Sequence, residues 1–273
     1  MFDFKPEMIG KQKKKNHVCY MGSLVPEKGF HILARQWKYI IKKVPDAELY
    51  VLGSGNLYNN SLKLGKYGLA VDGYEKKFIK YLTVNGRIMP SVHFLGIVGA
   101  EKKDIIRSCK VGVPNPSAVT ETFCICAVEM QAQGVVVCSR KKWGLLDTVD
   151  DGKTGFLSYS GRKLANNIIK ILRDDELVYR MGKNGQSYVL QFSGDNISEQ
   201  WIQLLKDVDL NIDNRNFPIT GNYFDDSKWI RMIVERIKKQ KTLPVVSVEC
   251  FRYYKKILKN KLKLFLKRII KKV

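Results

Sequence analysis

Two carboxylates, Glu121 and Glu129, are separated by seven residues in the stretch ETFCICAVEM, and those between them are mostly apolar. The preceding PNPSAVT is kept out of helix by two prolines, and Gly134 follows, so the pattern predicts one helix over residues 121–133. Eight positions at about 100° each set Glu129 about 80° round that helix from Glu121 and two turns deeper. An acid at a helix start is commonly dipole chemistry, and a second one commonly faces solvent. Here Phe123, Cys124, Ile125, Cys126, Ala127, Val128 and Met130 enclose Glu129, which is therefore expected to be partly buried. A buried carboxylate is costly without a donor, and a pair of vicinal hydroxyls, as on a ribose, would supply one.

Other residues point to anion chemistry. Gly22 and Gly29 bracket Lys28 in GSLVPEKGF, just ahead of a helical pattern. Backbone N–H groups and a helix dipole at such a turn attract phosphate, and the lysine adds a full charge. The same turn also serves ordinary strand-to-helix connections. Gly53 and Gly55 in VLGSG are equally permissive and equally unspecific.

The elements that would position these residues are legible as alternation. The runs HVCYMG, ELYVLG, SVHFLG, KVGVPN, VVVCS and GFLSY are continuous rather than alternating, as in strands covered on both faces. Helical patterns separate several of them; Phe30, Leu33, Ala34, Trp37 and Ile41 form one apolar stripe before Pro45. The expected fold is α/β, a doubly wound Rossmann-like parallel sheet over residues 17–208, with ligands beyond the carboxyl ends of the strands. Residues 1–16 then read as a hinge remnant, 209–227 as a polar linker and 228–273 as a basic helical extension.

The net charge of +22 is concentrated in that extension, where 16 Lys or Arg face two acids. Phe251, Tyr254, Leu258, Leu262, Phe265 and Ile269 form a stripe, with Arg252, Lys256, Lys259, Lys263 and Lys267 on another face. Such a helix over 250–273 suits an anionic membrane surface, or it packs its stripe on a protein domain. Nucleic-acid binding is disfavoured because no recognition module accompanies the charge. The six cysteines lie mostly in apolar runs without metal-ligand spacing and read as reduced core thiols. No run is long enough to span a membrane, and no signal peptide opens the chain, so a cytoplasmic location is expected, with peripheral attachment to the inner face of the membrane.

The segments YMGSLVPEKGF, PDAELYVLGSG, VHFLGIVGAEKKDIIRSCKVGVPNPS, ETFCICAVEMQAQGVVVCS and WGLLDTVDDGKTGFL occur in the order and spacing of the C-terminal half of glycosyltransferase family 4. Over about residues 17–205 the chain resembles the donor-binding half of these GT-B enzymes, which take nucleoside diphosphate sugars. The resemblance implies that Glu129 holds the ribose hydroxyls and that Glu121 faces the transferred sugar. It implies that backbone at Thr122 and Phe123 approaches sugar and phosphates, and that Lys28 neutralises the departing diphosphate. Gly22, Ser23, Gly53, Gly55 and Gly96 would border the nucleotide. Where relatives usually carry Arg after the first strand's glycine this chain has Ser23, so half of the usual cationic pair is absent; Asp147 stands where many have Glu.

The family further implies retention of anomeric configuration, no metal requirement, and a role in bacterial envelope polysaccharide assembly. Its N-terminal acceptor half has no counterpart: FDFKP, with Phe4 and Pro6, resembles the segment entering the second domain. None of His17, His31 and His93 matches the family's N-terminal histidine. The expectation is a donor domain that works with an N-terminal acceptor-domain chain, or a noncatalytic nucleotide-sugar-binding remnant.

Overall fold

The computed structural model describes residues 14–55, 63–119, 121–210 and 212. The expected basic extension, most of the linker and nearly all of the hinge segment lie outside the described residues. Six parallel strands form the sheet: β1 (Lys15–Met21), β2 (Glu48–Leu52), β5 (Val92–Gly96), β6 (Cys109–Pro114), β7 (Val136–Arg140) and β8 (Gly155–Ser158). A two-stranded hairpin, β3 (Thr83–Val84) and β4 (Arg87–Ile88), stands apart. All six apolar runs named above are strands of this sheet. Its order is β5-β2-β1-β6-β7-β8, so successive crossovers run outward one way from β1 and the other way from β6. The boundary between β1 and β6 is the switch point, and in sheets of this kind ligands bind beyond the carboxyl ends of the strands that flank it.

Burial explains why those runs are unbroken. Val18, Tyr20, Leu49, Val51, Val111, Val113 and Val136 are buried in one cluster with α1 (Phe30–Lys43), α2 (Asp72–Ile79) and α6 (Gly161–Leu172). On α1, Phe30, Leu33, Ala34, Trp37 and Ile40 face inward, and the Trp37 indole donates to Ser91 Oγ at 3.1 Å. Among the described residues the remaining helices are α3 (Lys102–Ser108), α4 (Ile125–Ala132), α5 (Leu145–Thr148), α7 (Asp175–Val189) and α8 (Gly194–Asp209). α8 buries none of its residues. No described helix is long and apolar enough to cross a membrane.

Two sequence expectations change. The helix read as 121–133 is Ile125–Ala132, with Cys124 as its N-cap. Residues 121–124 are drawn away by tertiary contacts: the Glu121 carbonyl accepts from Gly144 N–H at 3.1 Å, and its carboxylate is held from outside the helix. The first strand also begins at Lys15, within the segment assigned to the hinge.

Candidate functional site

The loop from β1 to α1 is set by a buried tyrosine. Tyr20 Oη donates to the carbonyl of Ser23 at 3.1 Å and approaches that of Lys28 at 3.4 Å. Pro26–Lys28 form a 3-10 turn, and Gly29 leaves it in left-handed backbone, φ 72°. A Cβ on Gly29 would lie 2.6 Å from both Cβ and N of Ser117. The Ser117 hydroxyl donates to the Glu27 carbonyl. The loops after β1 and β6 are thus packed against each other across the switch point.

Asn115 organises the second loop. It adopts φ 36°, and Ala118, two residues on from Pro116, adopts φ 57°, both outside the usual range for residues with a Cβ. Asn115 Oδ1 accepts from Ala118 N at 3.0 Å and lies 3.0 Å from Ser117 Oγ, while Nδ2 donates to Glu121 Oε2 at 2.7 Å. Lys28 Nζ reaches the same Oε2 at 3.0 Å. Burial pulls the Lys28 pKa down, but the ion pair with Glu121 outweighs it and holds the ammonium above its ordinary value.

Glu129 lies in the second turn of α4 and has its own cation. Lys102, the first residue of α3, places Nζ 2.9 Å from Glu129 Oε1. The side chains of Glu121 and Glu129 are 10% and 23% exposed; those of Lys28 and Lys102 are 32% and 35%. Each acid is therefore drawn in but reachable, and each is paired with a lysine from another strand-to-helix connection.

The glycines divide by role. Gly53 N–H donates to the Gly96 carbonyl at 2.7 Å, and a Cβ on Gly53 would come within 2.1 Å of the Gly22 carbonyl oxygen. Gly55 meets the backbone of Ala70 in the same way. Close packing among the strand-end loops requires both. Gly96, at φ 68°, would project a Cβ into open space. Ser23 is buried beside Gly22. The Thr122 carbonyl abuts Gly144, and Phe123, 39% exposed, meets Phe192 edge-on with centroids 5.2 Å apart.

The described thiols do not extend this chemistry. Cys19, Cys109, Cys124, Cys126 and Cys138 are free, and burial pushes the Cys126 thiol up to about 11, with Glu129 adding to it. Buried thiols of this kind stay protonated at neutral pH and are poor nucleophiles. The histidines are also elsewhere: His17 and His93 approach Glu48 near the opposite end of the sheet, while His31 Nδ1 lies 3.1 Å from Tyr74 Oη. A cleft of roughly 750 Å³ at that opposite end is lined by Lys14, His17, Asp46, Tyr50 and Lys110, and includes neither acid.

Of the residues that the sequence pattern brings out, the structure places Lys28 and Glu121 in contact and sets Glu129 on the helix that follows. Asn115 and Lys102 join them without having been expected. The Asn-Pro pair at 115–116 is a readable turn signal; Lys102 carries none, because its partner is 27 residues away on another helix.

Comparison with known proteins supplies what geometry alone does not. The D-inositol 3-phosphate glycosyltransferase of Corynebacterium kroppenstedtii is 29% identical over 178 residues, 64% of this chain and 37% of that protein. The capsular polysaccharide biosynthesis glycosyltransferase CapM of Staphylococcus aureus is 28% identical over 177 residues, 63% of this chain and 40% of CapM. The chain thus spans about two fifths of the length of these relatives. Anabaena HepE, solved in complex with UDP-glucose, superposes with a TM-score of 0.57 at 23% identity over 71% of this chain and 49% of HepE, and shows the same fold. A family model described as glycosyl transferases group 1 matches residues 1–188, and with that span the chain belongs to this family.

Proposed function

We propose that residues 17–208 are the donor-binding domain of a glycosyltransferase, holding a nucleoside diphosphate sugar for transfer to a hydroxyl acceptor with retained configuration. The observation that carries this reading is the pairing of Lys28 with Glu121 across the switch point, with Glu129 on the helix that follows. As the bond to the leaving diphosphate breaks, negative charge grows on its oxygens, and a preplaced ammonium at Lys28 stabilises it where it forms. Glu121, fixed by Asn115 and Lys28, is an acceptor for hydroxyls of the transferred sugar. Glu129 accepts from the ribose diol. Gly22, Ser23, Gly53, Gly55 and Gly96 border the nucleotide, and backbone at Thr122 and Phe123 faces sugar and phosphate.

In this reading the hydroxyl acceptor is held by an N-terminal acceptor domain. Residues 209–227 act as a linker, and the basic extension over 228–273 brings the domain to an anionic membrane surface on the cytoplasmic side, where envelope polysaccharide is assembled. The naming of CapM for capsular polysaccharide biosynthesis supports that setting. The test is sugar transfer from UDP- and GDP-sugars, with and without candidate acceptor-domain chains. Transfer that depends on a partner supports the reading; saturable donor binding without transfer in any pairing replaces it with the noncatalytic remnant, which Ser23 in place of the usual arginine favours.

A further inference from the structure

We infer that Lys102 is a positioning residue for the ribose, holding the Glu129 carboxylate oriented so that vicinal hydroxyls meet a fixed acceptor. The inference rests on the donor-site reading above. Glutamate has three side-chain torsions, and one that is 23% exposed on a helix turn has no intrinsic reason to keep a single rotamer. Among the described residues, the cation that holds Glu129 is the Lys102 ammonium, 2.9 Å from Oε1. That contact uses one of the roughly four lone-pair sites of a carboxylate. Oε2 and the second lone pair of Oε1 can serve two hydroxyl donors. Lys102 need not leave when the diol arrives.

The anchor comes from outside α4. Lys102 opens α3, directly after the loop that leaves β5, so the pair ties α3 to α4 at the strand ends. One turn before Glu129, the Cys126 thiol is pushed up to about 11, so it stays uncharged at neutral pH and does not compete for the ammonium. A lysine that acted only by attracting the diphosphate would strengthen every nucleoside diphosphate alike. One that acts through Glu129 strengthens only those with an intact diol. The two roles differ in one ratio.

The test is calorimetric titration of the full chain with UDP and 2′,3′-dideoxy-UDP, and in parallel with GDP and 2′,3′-dideoxy-GDP. Wild type is expected to prefer the ribonucleotide. Lys102→Met should weaken the ribonucleotide about tenfold, the scale of one charge-assisted hydrogen bond, and leave the dideoxy affinity within about twofold. Lys102→Arg should restore the preference, and unchanged dideoxy binding reports an intact fold. Equal losses for both nucleotides, or an unaltered preference, overturn the inference. Glu129→Ala run alongside separates the two levels: if it erases the preference while Lys102→Met does not, only the role of Lys102 falls. If Glu129→Ala keeps the preference, or wild type has none, the ribose assignment falls with it.

Discussion

Replacing Lys28 by Met and Glu121 by Gln, singly and together, measures how strongly the two loops at the switch point are coupled. At 3.0 Å the gross attraction is about 5 kcal/mol for an effective dielectric near 20. Desolvation of a side chain only 10% exposed and ordering of the lysine offset most of it. The net coupling should fall between an exposed pair and a fully buried one, at about 1–2 kcal/mol near neutral pH. In Glu121→Gln the new amide oxygen can still accept from Asn115, so the single variants keep the loop's shape. The assay is urea unfolding of all four proteins, with each single variant's midpoint lowered by about 0.5 M.

Alkaline pH adds a second test. The folded Lys28 pKa lies above the unfolded value of 10.5, so its contribution is complete below 10.5 and is lost as pH rises through the folded value. The coupling should shrink across that window. A value under about 0.3 kcal/mol near neutral pH, or one that is unchanged in strong alkali, refutes the reasoning.

Glu129→Ala should weaken binding of nucleoside diphosphates by about tenfold or more, since two hydroxyls lose a charged acceptor; calorimetry showing equal affinity rejects its ribose role. Gly29→Ala should cost about 2–3 kcal/mol, combining left-handed backbone at φ 72° with a Cβ 2.6 Å from Ser117, and thermal melts would register it. Burial pushes Lys14 down to about 8 from 10.5. Its folded state therefore binds fewer protons between those values, and stability should rise by about 2 kcal/mol as pH climbs from 8 to 10.5, a slope that Lys14→Met should abolish in denaturant titrations.

What can be read from the sequence follows from how local each signal is. The six strands are legible because helices cover both sheet faces, which leaves continuous apolar runs such as VVVCS. The α1 stripe is legible because its period is set within fourteen residues. The start of α4 departs from expectation because residues 121–124 have helical composition, yet Lys28, Asn115 and Gly144 hold them in a different backbone path. Gly53 and Gly55 are visible as permissive residues, but not that Gly22 and Ala70 are what crowd them. Lys102 looks like any lysine at a helix start, because an ion pair formed across 27 residues leaves no periodic trace.

Asn115, Glu121 and Glu129 all descend from one continuous stretch after β6, whereas their cations come from the connections after β1 and β5. Grafting residues 114–130 onto another scaffold would therefore transplant both acids without their counterions, leaving each drawn in and unpaired. A productive exchange of this segment has to carry Lys28 and Lys102 with it, as a three-part cassette from three separate places in the chain.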